Sequence, residues 1–175
     1  MKVLHLFIIL VLCTASTYSQ TATDLYEIAR KGTLIQAQEL VKLHPKAVNE
    51  HNKDGFSALI LACYRGNNEV AKFLIENGSD INGNSDMGTP LMAAIVKGNN
   101  EMAKFLIEKK ANVNLADANG VTSLIYSVQF QNIDIIEVLL KNKADQSHQD
   151  KQGKTAFEYA TFSGNEKIIN LLKSN

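Results

Sequence analysis

The sequence predicts an all-α solenoid, in which pairs of short helices stack in a single row. An eleven-residue block that starts at Gly66 recurs at Gly98 with ten of its eleven residues unchanged. Weaker copies start at Gln131 and Gly164, and an earlier equivalent starts at Gly32, so successive blocks lie 34, 32, 33 and 33 residues apart. Apolar residues within each block have the spacing of one helix face. A fixed period of this length is typical of stacked repeats.

The first helix of each unit is predicted from its start and stop signals. A hydroxyl side chain can accept a hydrogen bond from a free backbone N–H at a helix start, and one precedes each first helix: Ser57, Thr89, Thr122 and Thr155. Pro90 suits a first helical turn, where its missing N–H costs nothing. A glycine then fits a left-handed stop, and we expect this of Gly32, Gly66, Gly98 and Gly164. Small residues inside these helices would let neighbouring units approach closely.

The second helix of each unit starts at an asparagine, which is again a capping residue. These asparagines are Asn67, Asn99, Asn132 and Asn165. An acidic residue in the first turn suits the positive end of the helix dipole. The apolar face that follows is too large for one unit to bury alone, so the sequence predicts obligatory stacking.

Two further patterns surround each block. Asn, Asp and Gly cluster between units, where they favour turns that project as fingers. The second unit is one residue short near Met87, so we expect its finger to be tighter. Signatures before the blocks occupy residues 54–59, 87–91, 119–124 and 152–157, and signatures after them occupy 77–82, 110–114 and 143–147.

On these residues the chain resembles the ankyrin-repeat family. The family motif, roughly D-x-x-G-x-T-P-L-H-x-A-A-x-x-G-x-x-x-x-V-x-x-L-L-x-x-G-A-D-V-N, is matched most fully in residues 84–116, and the resemblance covers residues 22–175. The histidine of the motif is absent from every unit. The expected divisions are an N-terminal cap unit at 22–51, full repeats at 52–84, 85–116 and 117–149, and a C-terminal cap repeat at 150–175.

The first residues have the parts of a secretory signal peptide. Lys2 is the only Lys, Arg, Asp or Glu before Asp24, and the apolar stretch 3–12 is followed by small and polar residues. Ten helical residues span about 15 Å, half of a bilayer core, so a permanent membrane helix is not expected. The alternative is an apolar N-terminal helix packed on the domain.

We therefore expect residues 1–19 to be removed and the mature chain to be secreted or periplasmic, in a bacterium. Cleavage after Ser19 or after Ala15 fits the small residues there. Lipoprotein anchoring through Cys13 is not expected, because Leu12 before it is not small. Cys63 then remains as the one cysteine, which cannot form an internal disulfide.

Composition argues against several function classes. The chain has 18 Lys and Arg against 18 Asp and Glu, so no net basic field exists to hold a nucleic acid. No nucleophile–base pair, phosphate loop or metal-ligand spacing is present, and we expect no enzymatic activity, cofactor or metal. The four histidines are scattered as loop residues, and Cys63 occupies a small, inward-facing helix position.

The resemblance implies a concave protein-binding face formed by the finger tips and the first-helix surface. Transferred by position, it contains Phe56, Tyr64, Arg65, Val96, Lys97, Val121, Gln129, Phe130, Lys154 and Phe162. Exposed aromatic residues are typical of interface anchors. The alternative is that Phe130 and Phe162 only cover neighbouring helices.

The expected function is therefore non-enzymatic binding of an unknown protein partner by a monomer. Two alternatives stay open: an inhibitor or immunity-type protein against a toxin or enzyme, and a structural or self-associating envelope protein. Nothing in the residues selects the client.

The third unit, 117–149, is predicted to be locally the weakest. Gln131 replaces the stop glycine at a cost on the order of 1 kcal/mol if the left-handed geometry is kept, and Gln146 and Ser147 replace the Val-Asn of the motif. Amide hydrogen exchange should be faster there than in residues 85–116. Slower exchange in 117–149 would contradict the prediction.

Overall fold

The computed structural model describes residues 25–174. In this part of the chain the fold is all-α, as the sequence predicts. The helices are α1 (25–31), α2 (Leu34–Leu43), α3 (Ala58–Arg65), α4 (Asn68–Glu76), α5 (Pro90–Lys97), α6 (Asn100–Glu108), α7 (Ser123–Gln129), α8 (Ile133–Lys141), α9 (Ala156–Ser163) and α10 (Glu166–Lys173). A 3-10 turn spans Pro45–Asn49. None of these helices has the length and apolar character needed to span a bilayer. The segment predicted to be a signal peptide lies outside the described residues.

Helices pack in the order of the chain. The first helices α3, α5, α7 and α9 contact one another in sequence, and each also contacts the second helix of its own unit. The second helices α2 and α4, and α6 and α8, also meet. Each unit therefore packs on its neighbours, as expected for a solenoid of stacked repeats.

The predicted caps are present with one exception. Each hydroxyl residue before a first helix accepts a hydrogen bond from the backbone N–H three residues on. Asn99, Asn132 and Asn165 cap their second helices in the same way. The prediction for Asn67 is wrong, because its side chain makes no capping hydrogen bond. Its amide donates instead to the Gly32 carbonyl at 2.9 Å and ties the repeat 52–84 to the N-terminal unit.

The glycine stops are confirmed with one exception. Gly66, Gly98 and Gly164 end their helices with left-handed φ angles of 77°, 73° and 67°. The prediction for Gly32 is wrong, because its φ is not in the left-handed region. A Cβ there would lie 2.6 Å from the Ile28 Cα, so this glycine permits a close approach to α1 rather than an unusual backbone angle.

Small residues fill the centre of the stack. One position, four residues before each stop, is completely buried in all four first helices. Its occupants are Ala62, Ala94, Ser127 and Ala160. Their size allows close approach between first helices, and larger residues around them, such as Leu59 and Leu91, supply the apolar area.

Asparagines in the connecting segments link successive units. Each has a side-chain oxygen that accepts a backbone N–H bond from the following unit. The pairs are Asn49 with Asp80, Asn82 with Asn112 and Asn114 with Asp145, at 2.7, 2.8 and 2.8 Å. Ser147 stands at the next such position, and its hydroxyl bonds Asp145 of its own unit.

The finger of the second unit is tighter, as predicted. Ser85 and Gly88 exchange backbone hydrogen bonds across a two-residue turn. The first finger instead closes between Asn52 and Phe56 and encloses three residues. The missing residue therefore shortens the turn and leaves the helices that follow it intact.

Among residues 25–174, three non-glycine residues adopt left-handed φ angles: Lys110 at 71°, Gln131 at 52° and Lys143 at 64°. Gln131 thus keeps the stop geometry that glycine holds in the other units. Left-handed geometry costs a residue with a Cβ about 1–2 kcal/mol, so these positions store strain.

Lys143→Gly should raise the free energy of unfolding by about 0.5–1 kcal/mol, because relief of strain exceeds the entropy that glycine loses on folding. Urea denaturation measures this. Lys104→Gly is the matched control at an exposed lysine in the interior of α6, where glycine should lower stability by about 0.5–1 kcal/mol. A stability loss in both variants would contradict the strain at Lys143.

Candidate functional site

The C-terminal ends of the first helices form an exposed row. We call it the first-helix ridge, and its members are Tyr64, Arg65, Val96, Lys97, Gln129, Phe130 and Phe162. The residues occupy equivalent positions one or two places before each stop, and their helices pack in order. Every member is exposed, so the structure brings together seven of the ten residues singled out from the sequence.

Large apolar side chains on this ridge remain open to solvent. The exposed fractions of Tyr64, Phe130 and Phe162 are 48%, 53% and 75%. Several exposed large apolar residues in one place are uncommon on a protein surface that has no binding partner. Phe130 stacks on Tyr126 with ring centroids 6.3 Å apart and an interplanar angle of 15°, so it partly covers its own helix while exposing half of its surface.

The remaining three predicted residues lie at the bases of the fingers. Phe56, Val121 and Lys154 each precede the N-cap of a first helix, and each is half-buried. Phe56 and Val121 pack against the core. These three residues therefore expose less side-chain surface to a partner than the ridge residues do. Phe56 and Val121 hold their fingers against the core.

Lys154 connects the finger base to the ridge. Its Nζ lies 5.0 Å from the ring centroid of Phe162 and 5.6 Å from that of Tyr159. A cation over an aromatic face is attracted by the ring quadrupole. The side chain of Gln129 hydrogen-bonds Tyr159 from the neighbouring unit. These contacts join the third and fourth units into one aromatic surface.

Two aspartates fix the fingers beside this surface. Asp150 accepts the N–H groups of Gln152 and Lys154 at 2.8 and 3.0 Å, and its other oxygen accepts the Tyr159 hydroxyl at 2.6 Å. Asp117 and Tyr126 repeat the arrangement one unit earlier, at 2.7 Å. The sequence analysis did not identify these pairs. Their signal was a shared spacing, because both aspartates and both tyrosines are 33 residues apart.

The hydrogen bonds control the ionisation of these groups. Burial acts to raise the pKa of Asp150, but the Tyr159 hydroxyl and the two backbone N–H groups outweigh it, and the pKa is lowered. Burial and the hydrogen bond to Asp117 raise the pKa of Tyr126 to about 12. Asp150 therefore acts as a charged anchor for the fourth finger.

Met87 is a further exposed residue that the sequence analysis missed. It lies at the tip of the shortened second finger, largely open to solvent. Its flexible thioether adapts to irregular apolar surfaces. The signal in the sequence was an apolar residue at the tip of a turn, a place otherwise held by polar residues.

The groups that could support chemistry are separated or buried. Burial raises the pKa of the Cys63 thiol to about 12, so at neutral pH it is a packed, protonated side chain. Among residues 25–174, no cluster of three or more His, Cys, Asp and Glu is arranged to hold a metal ion. His148 places its Nε2 2.8 Å from the Gly120 carbonyl oxygen and so links two fingers.

Comparison with known proteins agrees with this architecture. A model of the ankyrin-repeat family, comprising three repeats, matches residues 25–117 and 110–175. The chain therefore belongs to the ankyrin-repeat family, whose members are generally protein–protein interaction modules and typically non-enzymatic.

One curated relative is the acyl-CoA-binding domain-containing protein 6 homolog of Dictyostelium discoideum. It is 59% identical over 34 residues, which are 19% of this chain and 12% of that protein. The similarity has the length of about one repeat.

Asp150→Asn should make stability less dependent on acidic pH. A carboxylate whose pKa is lowered by folding adds stability above its unfolded value of 3.8, and this is lost as the pH falls through the lower folded value. An amide keeps the oxygen that accepts the two N–H groups, as Asn52 does in the first finger.

The measurement is Tm against pH from about 6 to about 2.5, where Asp150→Asn should show the shallower decline. Asp86→Asn is the matched control, because it removes an equal charge at the second finger tip, where no hydrogen bond to the side-chain carboxyl is found among residues 25–174. An equally shallow decline in this variant would show a general effect of charge. Identical profiles for the natural chain and Asp150→Asn would refute the charged anchor.

Proposed function

We propose that the chain captures a partner protein through the first-helix ridge and the finger tips, without catalysis. One observation carries the proposal. Exposed large side chains recur at equivalent positions on successive first helices, where stacking of the repeats does not require them. The membership of the ankyrin-repeat family supports this use of the surface.

A rigid surface of this kind favours binding because little order has to be created on association. The rings of Phe130 and Phe162 are already oriented by Tyr126 and Lys154. Aromatic side chains bury much apolar area when a partner covers them, and they dominate the energetics of many interfaces. Arg65 and Lys97 supply polar contacts beside them.

Replacing Tyr64 and Phe130 together with Ala should abolish partner capture, at a cost of about 2 kcal/mol or more in binding. The fold should survive, because both side chains are about half exposed. Affinity capture from an extract of the source cells, followed by identification of the bound protein, measures the loss. Circular dichroism checks that the variant is folded.

Ile35→Ala with Leu43→Ala is the matched control, since both side chains are exposed on α2, away from the ridge. Capture that is unchanged in Tyr64→Ala/Phe130→Ala, or lost equally in the control, would reject the ridge as the binding surface.

We also propose that the chain acts as an exported monomer. The support is the basic, apolar and small-residue order of the first nineteen residues. A periplasmic reporter fused after residue 24 should be exported, and Leu6→Asp with Ile9→Asp should prevent export. A reporter that stays in the cytoplasm would reject export.

Light scattering tests the proposed monomer and should give one concentration-independent mass. A mass that rises with concentration would favour the self-associating alternative.

A further inference from the structure

We infer that the ridge binds an extended protein segment that carries acidic residues at one end and large apolar residues at the other. This inference rests on the proposed function and names the chemistry of the partner. Two observations support it: the charges of the repeats are sorted between the two sets of helices, and the ridge itself changes from cationic to aromatic along the stack.

The first helices contain very few charges. Between them, α3, α5, α7 and α9 carry Arg65, Lys97 and Glu158. The carboxylate of Glu158 is occupied, since it accepts the Thr155 backbone N–H and hydroxyl at 2.6 and 2.9 Å. The second helices α4, α6, α8 and α10 carry seven acidic and five basic residues. Two basic residues against one acidic residue give the first helices a net charge of +1, whereas seven acidic against five basic residues give the second helices a net charge of −2.

Arg65 and Lys97 are available to a ligand. Both are exposed at equivalent positions of adjacent units, and no ion pair to either is found among residues 25–174. The ion pairs in this range join Lys72 to Glu101 and two basic residues of α1 to Glu27. The guanidinium of Arg65 lies 5.8 Å from the Tyr64 ring centroid, which holds it on the ridge.

The other half of the ridge is apolar. The neighbouring cation, Lys154, is half-buried and holds its Nζ over the rings of Tyr159 and Phe162, 5.6 and 5.0 Å from their centroids. Phe130 and Phe162 are the large exposed side chains here. Carboxylates of a partner would therefore be attracted to the full repeats 52–84 and 85–116, and its apolar side chains to the two units that follow, which gives the bound segment one orientation.

The spacing of the units sets the spacing of the partner residues. Packed helices lie about 8–10 Å apart, and an extended chain advances about 3.3 Å per residue. One unit therefore corresponds to about three partner residues. A partner segment that fits the ridge therefore has two acidic residues about three positions apart. Two large apolar residues follow, each about three positions further along the segment.

The test selects ligands for the full chain from a phage-displayed library of random twelve-residue peptides, which are long enough to cross four units. The enriched peptides should show the acidic and apolar spacing given above. One of them is then synthesised with a fluorescent label and titrated. Arg65→Glu with Lys97→Glu should weaken its binding at least about tenfold, and Phe130→Ala with Phe162→Ala should weaken it similarly.

Lys104→Glu with Lys141→Glu is the matched control, because it makes the same change in net charge on α6 and α8. The selected peptide should bind this variant as tightly as it binds the natural chain. A peptide with the same residues in scrambled order should not bind the natural chain. An equal effect of both charge reversals would overturn the inference, as would competition by a single-stranded twelve-nucleotide DNA as effective as the peptide.

Different results overturn the acidic partner and the ridge as a binding surface. Peptides that need Tyr64 and Phe130 but lack acidic residues, or that bind Arg65→Glu/Lys97→Glu normally, overturn the acidic partner and leave the ridge as a binding surface. A selection that enriches no peptide, while capture from the extract still requires Tyr64 and Phe130, also overturns only the extended segment. Peptides and captured protein that both bind Tyr64→Ala/Phe130→Ala normally overturn the proposed function and the inference with it.

Discussion

Close packing of successive first helices around small, fully buried residues is the constraint on which the rest of the structure depends. These residues are Ala62, Ala94, Ser127 and Ala160, and their helices pack on one another in chain order. Each unit has two short helices, of seven to nine residues from α3 onwards, and such helices are marginal alone in water. They become stable only when the neighbouring units cover their apolar faces. Larger side chains at this position would separate the helices and expose the leucines and isoleucines beside them.

The same repetition creates the candidate site. Because each unit advances by nearly the same number of residues, positions that face solvent also align from unit to unit. Residues in the buried position are confined to small types, whereas the ridge holds Tyr64, Val96, Gln129 and Phe162 at one equivalent position. Diversity is therefore concentrated where packing does not restrict it, which is where recognition of a partner can be encoded.

Local signals made most of the fold predictable from the sequence. Caps and left-handed glycines act within a few residues, so the order Thr89, Pro90 and Gly98 was sufficient to bound α5. The prediction of a left-handed stop at Gly32 was wrong, because glycine is needed there for a close approach to Ile28. The repeat pattern does not encode that contact. The hydrogen bond that the Tyr159 hydroxyl donates to Asp150 was missed because it joins a helix to a finger nine residues earlier. The ridge residues were located by position, but their exposure depends on the packing of neighbouring units.

The most direct test of the stacking constraint compares two substitutions in α5. Ala94→Leu adds three carbon atoms at the buried contact, and Val96→Leu enlarges an exposed side chain two residues away. Denaturant unfolding with hydrogen exchange should show that Ala94→Leu lowers the free energy of unfolding by about 1–3 kcal/mol. Protection should then fall in the units on both sides of α5, and Val96→Leu should change neither quantity. Equal stability of the two variants would contradict the account.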